Sequence, residues 1–454
     1  MTDGGNHHHH HDGCGCGADH GHQGESVIAA PKPAGDGWQT GESPVWRPFT
    51  QHATEPPAPV ATHAEGAFIT TGDGRRILDG ISSWWVVTHG HRYAPIMQAI
   101  RDQSERLDQV IFANFTHEPA ERLARALVEM APEGLTRVFY SDSGSTAVEV
   151  GLKMALGYWH NRGAARHRIV VMEHSYHGDT IGTMSVGERG VFNAAYNPVL
   201  FDVGTIPFPT GDGQTTLDAF EALAAAGDVA ALIVEPLVLG AGGMLMYGPD
   251  VLAGLRQICD RHGVLLIADE VMTGWGRTGS LWACDHAQIS PDILCTSKGL
   301  TGGSVPLAAT LASEPVFQAH YSTDRSRTFF HSSSFTANPI ACAAGLANVE
   351  VWRTEPVAAR IRDVVRMQAG HLDRLARDPR FENPRQCGTI TAIDMKVGQA
   401  GYLADAGPRL RAHCLAQGVL LRPLGNTVYV LPPYCVSSAD LDLAYDAIAT
   451  FQPE

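Results

Sequence analysis

Between Arg137 and Thr296 the chain alternates short, continuously apolar runs with longer segments of helical period, and no other feature constrains its fold as strongly. The runs are Arg137–Tyr140, Ile169–Glu173, Ala231–Glu235, Val264–Ala268 and Ile293–Thr296. A strand that is apolar at successive positions is buried on both faces, the pattern of a mostly parallel sheet covered by helices in an α/β domain. Two intervening segments supply such helices. Thr146–His160 puts Val148, Leu152, Ala155, Leu156 and Trp159 on one stripe, and Pro249–His262 does the same with Leu252, Leu255 and Ile258. Upstream, Gly66–Leu78 reads as a hairpin turning at Gly72–Gly74. From about Ala337 the pattern turns helical and then to short strands, Gly388–Met395 and Val419–Leu431, which predicts a small C-terminal domain.

With 454 residues the chain exceeds what one hydrophobic core usually serves, so accessory structure is expected. A composition 44% apolar and 18% charged is that of a globular enzyme. The formal net charge of -15 argues against a nucleic-acid surface, which needs clustered positive charge. No apolar run approaches the length of a spanning helix, and the first residues lack the apolar core of a signal peptide, so a cytoplasmic location and no membrane partner are expected.

Seven of the nine cysteines, Cys259, Cys284, Cys295, Cys342, Cys387, Cys414 and Cys435, lie in apolar or mixed segments without CxxC spacing and read as buried reduced thiols. The other two belong to a tail in which His7–His11, Cys14, Cys16, His20 and His22 alternate with Gly and Asp. Such a composition builds no core. Its imidazoles and thiols suit Zn, Ni or Cu, although an expression tag or low-complexity sequence has the same look, and no metal is assigned to the enzyme's site.

In open α/β sheets the ligand sits beyond the carboxyl ends of the strands, which here carry notable residues. Val264–Ala268 runs into Asp269 and Glu270, Ile293–Thr296 into Ser297 and Lys298, and Arg137–Tyr140 into SerAspSerGlySer ahead of a helix. Ser143, Gly144 and Ser145 at a helix N-terminus are a phosphate cradle or a plain N-cap. A lysine between an apolar strand and GlyLeuThrGlyGly would be partly withdrawn from water, which lowers its pKa and makes it nucleophilic, unless it is a snorkelling surface lysine. Asp269 suits a protonated pyridine nitrogen, and Tyr176, in HisSerTyrHisGly, offers a ring to stack on a heteroaromatic cofactor.

AlaAspGluValMetThrGlyTrpGlyArgThrGly (Ala268–Gly279) followed by SerLysGlyLeuThrGlyGly (Ser297–Gly303) resembles the class III aminotransferase pattern. IleSerSerTrpTrp (Ile81–Trp85), TyrSerAspSerGlySer with ValGluVal, TyrHisGlyAspThr (Tyr176–Thr180), GlyAlaGlyGlyMet (Gly240–Met244) and LeuLeuArgProLeuGly (Leu420–Gly425) resemble the diaminopelargonic acid aminotransferases of biotin synthesis. The resemblance runs from about Val45 to the C-terminus. It implies an aspartate-aminotransferase-like fold that binds pyridoxal 5′-phosphate, with a large mostly parallel domain and a smaller α/β domain built from both ends of the chain. The expected division is a tail and linker over 1–37, an N-terminal segment of the small domain over 38–94, the large domain over 95–336 and the C-terminal small domain over 337–454.

The resemblance further implies transfer of an amino group from S-adenosylmethionine to 7-keto-8-aminopelargonate. Lys298 would carry the cofactor and shuttle protons, Asp269 would pair with its ring nitrogen, Gly144 and Ser145 would bind its phosphate, and Tyr176 would stack near the ring. Trp84 and Trp85 would wall the pocket, and Arg422 would clamp the keto acid's carboxylate, a task suited to a planar guanidinium. A homodimer is implied, with Ser333 and Ser334 reaching the partner's phosphate and Ser332 lining the substrate site. Two positions depart from the family pattern: HisSerSerSerPhe (His331–Phe335) replaces a His-Gly-Pro-Thr type segment, and Phe49 stands where tyrosine is common beside the substrate. Another class III ω-aminotransferase, using lysine, a diamine or a β-amino acid, and an intramolecular aminomutase are the competing readings.

Overall fold

All five expected strands join one seven-stranded sheet. Its order is Leu135–Ser141, Ala308–Ser313, Ile293–Thr296, Leu265–Asp269, Val229–Val234, Arg168–Met172 and Gly204–Ile206. The pairs from Ile293–Thr296 to Gly204–Ile206 are parallel, and Ala308–Ser313 alone runs against both neighbours. The computed structural model describes residues 43–398 and 400–453. The His- and Cys-rich tail therefore lies outside the described residues.

Alternation along the central strands sorts the core into two layers, since successive side chains point to opposite faces. Leu232, Val234 and Leu266 pack with Leu252, Leu255 and Ile258 of the helix Pro249–His262. Ala231, Ile233 and Ile267 pack with Val148, Ala155 and Trp159 of the helix Gly144–Asn161. Each buried Val, Leu or Ile contributes roughly 1.5–3 kcal/mol relative to exposure. Pro249 opens its helix at a position that needs no amide donor, and Gly263 closes it in the left-handed conformation with φ 63°.

The described residues form two compact units, one ending at Val60 and one beginning at Ala61. In the first, Arg47 N donates to His52 Nε2 at 3.0 Å, and Phe49 has φ 48°. In the second, strands Ala61–Glu65, Phe68–Thr71 and Arg76–Asp79 are joined by Val419–Leu420, so sequence from both ends shares one small sheet. A three-stranded sheet, Phe381–Cys387, Ile390–Met395 and Thr427–Val430, stands against the helix Val357–Ala376.

The reading of all seven cysteines as buried needs correction. Five are buried, Cys387 is partly covered, and Cys435 is exposed because it lies in the short surface connection before the helix Ser438–Ala449. Among the described residues no helix is long and apolar enough to cross a membrane.

Candidate active site

Parallel register brings the chemistry to one edge. Asp269 is the last residue of its strand and lies beside Cys295, so Ser297 and Lys298 follow directly beyond it. The Asp269 carboxylate is buried and receives two bonds, from His177 Nδ1 at 2.7 Å and from Val271 N at 3.1 Å. A carboxylate only accepts, so the shared proton is assigned to Nδ1 of His177. His177 Nε2 is buried with no hydrogen-bond partner.

Lys298 opens a short 3₁₀ turn, Lys298–Thr301, with φ 47°. Burial lowers its pKa to about 8, opposed by the negative charges of Asp269 and Glu235 and assisted by Arg277. Its ammonium nitrogen sits 4.7 Å from the centre of the Trp85 ring. Trp85 is fixed in turn by a 3.0 Å bond from its Nε1 to the Tyr429 hydroxyl.

Glu235 was not anticipated from the sequence. It follows the strand Val229–Val234 and accepts from Tyr176 N and Gly240 N, each at 2.9 Å. Burial raises its pKa to about 7. The carboxylate thus ties the Tyr176 loop to the GlyAlaGlyGlyMet loop while lying close enough to act on Lys298. The half-buried Tyr176 lines a cavity of about 270 Å³ together with Asp179, Glu188, Phe192, Asn193 and Tyr402. Burial raises the pKa of its hydroxyl.

The N-cap reading of SerAspSerGlySer holds, and the cap leaves amides that a phosphate could use. Ser143 caps the helix Gly144–Asn161 reciprocally with Thr146, and the first-turn amides of Gly144 and Ser145 precede the first helical bond, Ala147 N to Ser143 O. Ser145 Oγ accepts from Asp179 N at 3.3 Å. A side chain at Gly178, whose φ is 136°, would place its Cβ 2.1 Å from Ser145 Oγ, and one at Gly144 would place it 2.7 Å from Val271 Cγ1. A phosphate-bearing aromatic cofactor fits this set: an anion cradle at a helix N-terminus, a buried carboxylate and a deprotonatable amine.

Arg422 lies over the Trp84 ring, with its guanidinium carbon 4.9 Å from the ring centre. The two tryptophans therefore diverge, Trp85 to the lysine and Trp84 to the arginine. Ser332, Ser333 and Ser334 line a different cavity with Gln109, Phe112 and Phe139. There the Ser333 hydroxyl donates to Asp142, one residue before the Ser143 cap. Phe49 belongs to the first unit and is exposed. Among the described residues no group of three or more His, Cys, Asp or Glu is placed to hold a metal.

A buried lysine just beyond a parallel strand, under the electrostatic influence of a buried carboxylate, fits a pyridoxal-phosphate enzyme. A family model for class-III aminotransferases matches residues 49–451. The chain is 48% identical to the adenosylmethionine-8-amino-7-oxononanoate aminotransferase of Synechococcus elongatus, covering 90% of this chain and 98% of that protein. It is 39% identical to the enzyme of the same name from Mycobacterium leprae, covering 87% and 92%. The crystal structure of the Methanocaldococcus jannaschii protein of that name superposes with a TM-score of 0.86 at 31% identity, covering 91% of this chain and 98% of that one. A PLP-bound amine transaminase from an uncultivated Pseudomonas species gives 0.84 at 31% identity, covering 90% and 98%. The chain belongs to the class III aminotransferases and is a pyridoxal-phosphate-dependent aminotransferase.

Proposed function

We propose that the chain transfers an amino group from S-adenosylmethionine to 8-amino-7-oxononanoate (7-keto-8-aminopelargonate), giving 7,8-diaminopelargonate for biotin synthesis. The observation that carries the reading is the pairing of Arg422 with Trp84 beside the Trp85–Lys298 contact. Arg422 would offer a cation to a substrate carboxylate, and the adjacent tryptophans would form the wall that separates it from the lysine. The names of the relatives in Synechococcus elongatus and Mycobacterium leprae support the same reaction.

In this reading Lys298 would hold the cofactor, and its amine would move a proton at the reacting carbon of the substrate. Asp269, oriented by His177, keeps the ring nitrogen protonated. Gly144 and Ser145 would hold the phosphate, and Tyr176 would lie near the ring. When bound, pyridoxal phosphate supplies a carbonyl that takes up the amino group and a ring that withdraws electrons from the reacting carbon. Arg422 binds the keto acid's carboxylate, and Trp84 fixes the guanidinium plane. Trp85 excludes water from the lysine.

A homodimer belongs to the same reading, with Ser333 and Ser334 serving the partner's phosphate and Ser332 its substrate. Exposed Ile111, Phe115, Phe330 and Phe335, at or beside the cavity that the serines line, are the apolar surface such a partner would cover. The likeness to an amine transaminase favours one alternative, a simple amine donor. Single-turnover half-reactions separate the two. S-adenosylmethionine should convert the bound cofactor to its aminated form, and conversion by lysine or a simple amine but not by S-adenosylmethionine would refute the donor.

A further inference from the structure

Four consecutive non-glycine residues, Ser82, Ser83, Trp84 and Trp85, have φ of 52°, 46°, 72° and 72°. They form one left-handed helical turn, closed by Trp85 N to Ile81 O at 2.8 Å and Val86 N to Ser82 O at 2.9 Å. L-residues visit this conformation singly and avoid it in runs, so the surroundings must impose it. The observed anchor is Asp79, a fully buried carboxylate at the end of the strand Arg76–Asp79. Its Oδ1 accepts from Ser83 N at 2.8 Å, and its Oδ2 accepts from Ser83 Oγ at 2.7 Å and contacts His91 Nε2 at 2.8 Å. Ser82 Oγ adds a 2.8 Å bond to Leu431 O.

The turn has a consequence for the site. Successive residues of a helical turn project about 100° apart, and a reversed hand sends each side chain to a different place than a right-handed turn would. With this hand Trp85 reaches Lys298 and Trp84 reaches Arg422. We infer that Asp79 is a positioning residue that, through Ser83, holds the left-handed turn and so sets both tryptophans against the two functional cations. The roles of those cations rest on the reading given under Proposed function, whereas the conformation of the turn does not.

Three variants test this: Asp79→Ala, Asp79→Asn, and Asp79→Ala combined with Ser83→Gly. Two readouts are needed, the KM and kcat for the keto acid and the near-ultraviolet circular dichroism of the tryptophans, recorded before and after cofactor removal. Asp79→Ala should raise the keto-acid KM by about tenfold or more with a smaller fall in kcat, and should change the tryptophan dichroism while far-ultraviolet dichroism stays native. Glycine at 83 adopts the left-handed conformation without help, so the double variant should recover most of both signals. If Asp79→Ala does not fold, Asp79→Asn decides, since its amide oxygen still accepts from Ser83 N and an intermediate KM and dichroism are expected. Wild-type KM and dichroism in either single variant would overturn the inference, and so would failure of the glycine to recover the dichroism. If wild type turns over no keto acid at all, the function is wrong, and the dichroism alone still judges Asp79.

Discussion

His177 Nδ1 lies 2.7 Å from Asp269 Oδ2 with both side chains buried, so the carboxylate that would face the cofactor ring is itself oriented by a ring behind it. A hydrogen bond to a charged group contributes about 1.5–3 kcal/mol, or roughly ten- to a hundredfold in an equilibrium or rate. His177→Phe should therefore lower turnover by that order while retaining cofactor absorbance. Asp269→Asn should lose far more turnover, because an amide cannot keep the ring nitrogen protonated. Stopped-flow half-reactions check the order, and undiminished turnover in His177→Phe would show that His177 does not act through Asp269.

Lys298 titrates near 8 rather than 10.5, so at pH 7 about a tenth of its amine is neutral, against roughly one part in three thousand for an unperturbed lysine. Capture of pyridoxal phosphate by the cofactor-free protein should speed up with pH, be half-maximal near that value and level off above it. Glu235 favours the charged ammonium, so Glu235→Gln should move the midpoint downward and increase the neutral fraction at pH 7. Comparing the two pH profiles cancels the cofactor's own titration. An unchanged or raised midpoint would contradict the coupling.

Arg422 lies over the Trp84 ring, and in the proposed function its fork would meet the substrate carboxylate. Arg422→Lys keeps the charge but loses the bidentate geometry and the stacking, the latter alone worth about 0.5–1 kcal/mol at an exposed site. The keto-acid half-reaction should slow by about tenfold in the lysine variant and more in Arg422→Ala, with a smaller effect on the donor half. Matching losses in both halves would remove the proposed clamp.

How much of this was legible in the sequence depended on whether a residue's role is local. The helix Pro249–His262 and the strand Ile293–Thr296 appear with the expected bounds, because proline, glycine and continuous apolar runs mark them. Ala308–Ser313 escaped notice: its small residues have neither the bulk nor the alternation of a strand, yet it is the one antiparallel member of the sheet. Phe381–Cys387 contains Pro384, tolerated because that strand lies at an edge. Lys298, Asp269 and Gly144 stood out at strand and helix ends. Glu235 and His177 did not, since Tyr176 and Asp269, their long-range partners, come from segments distant in sequence. The left-handed turn at Ser82–Trp85 was hidden because no glycine announces it.

The central claim is tested most directly by incubating the purified protein with pyridoxal phosphate, S-adenosylmethionine and 8-amino-7-oxononanoate and measuring 7,8-diaminopelargonate by mass spectrometry, with Lys298→Ala alongside. Wild type should form the diamine, and the alanine variant should form none and lack the visible band of lysine-bound cofactor. No diamine from wild type, or equal amounts from both proteins, would contradict the account.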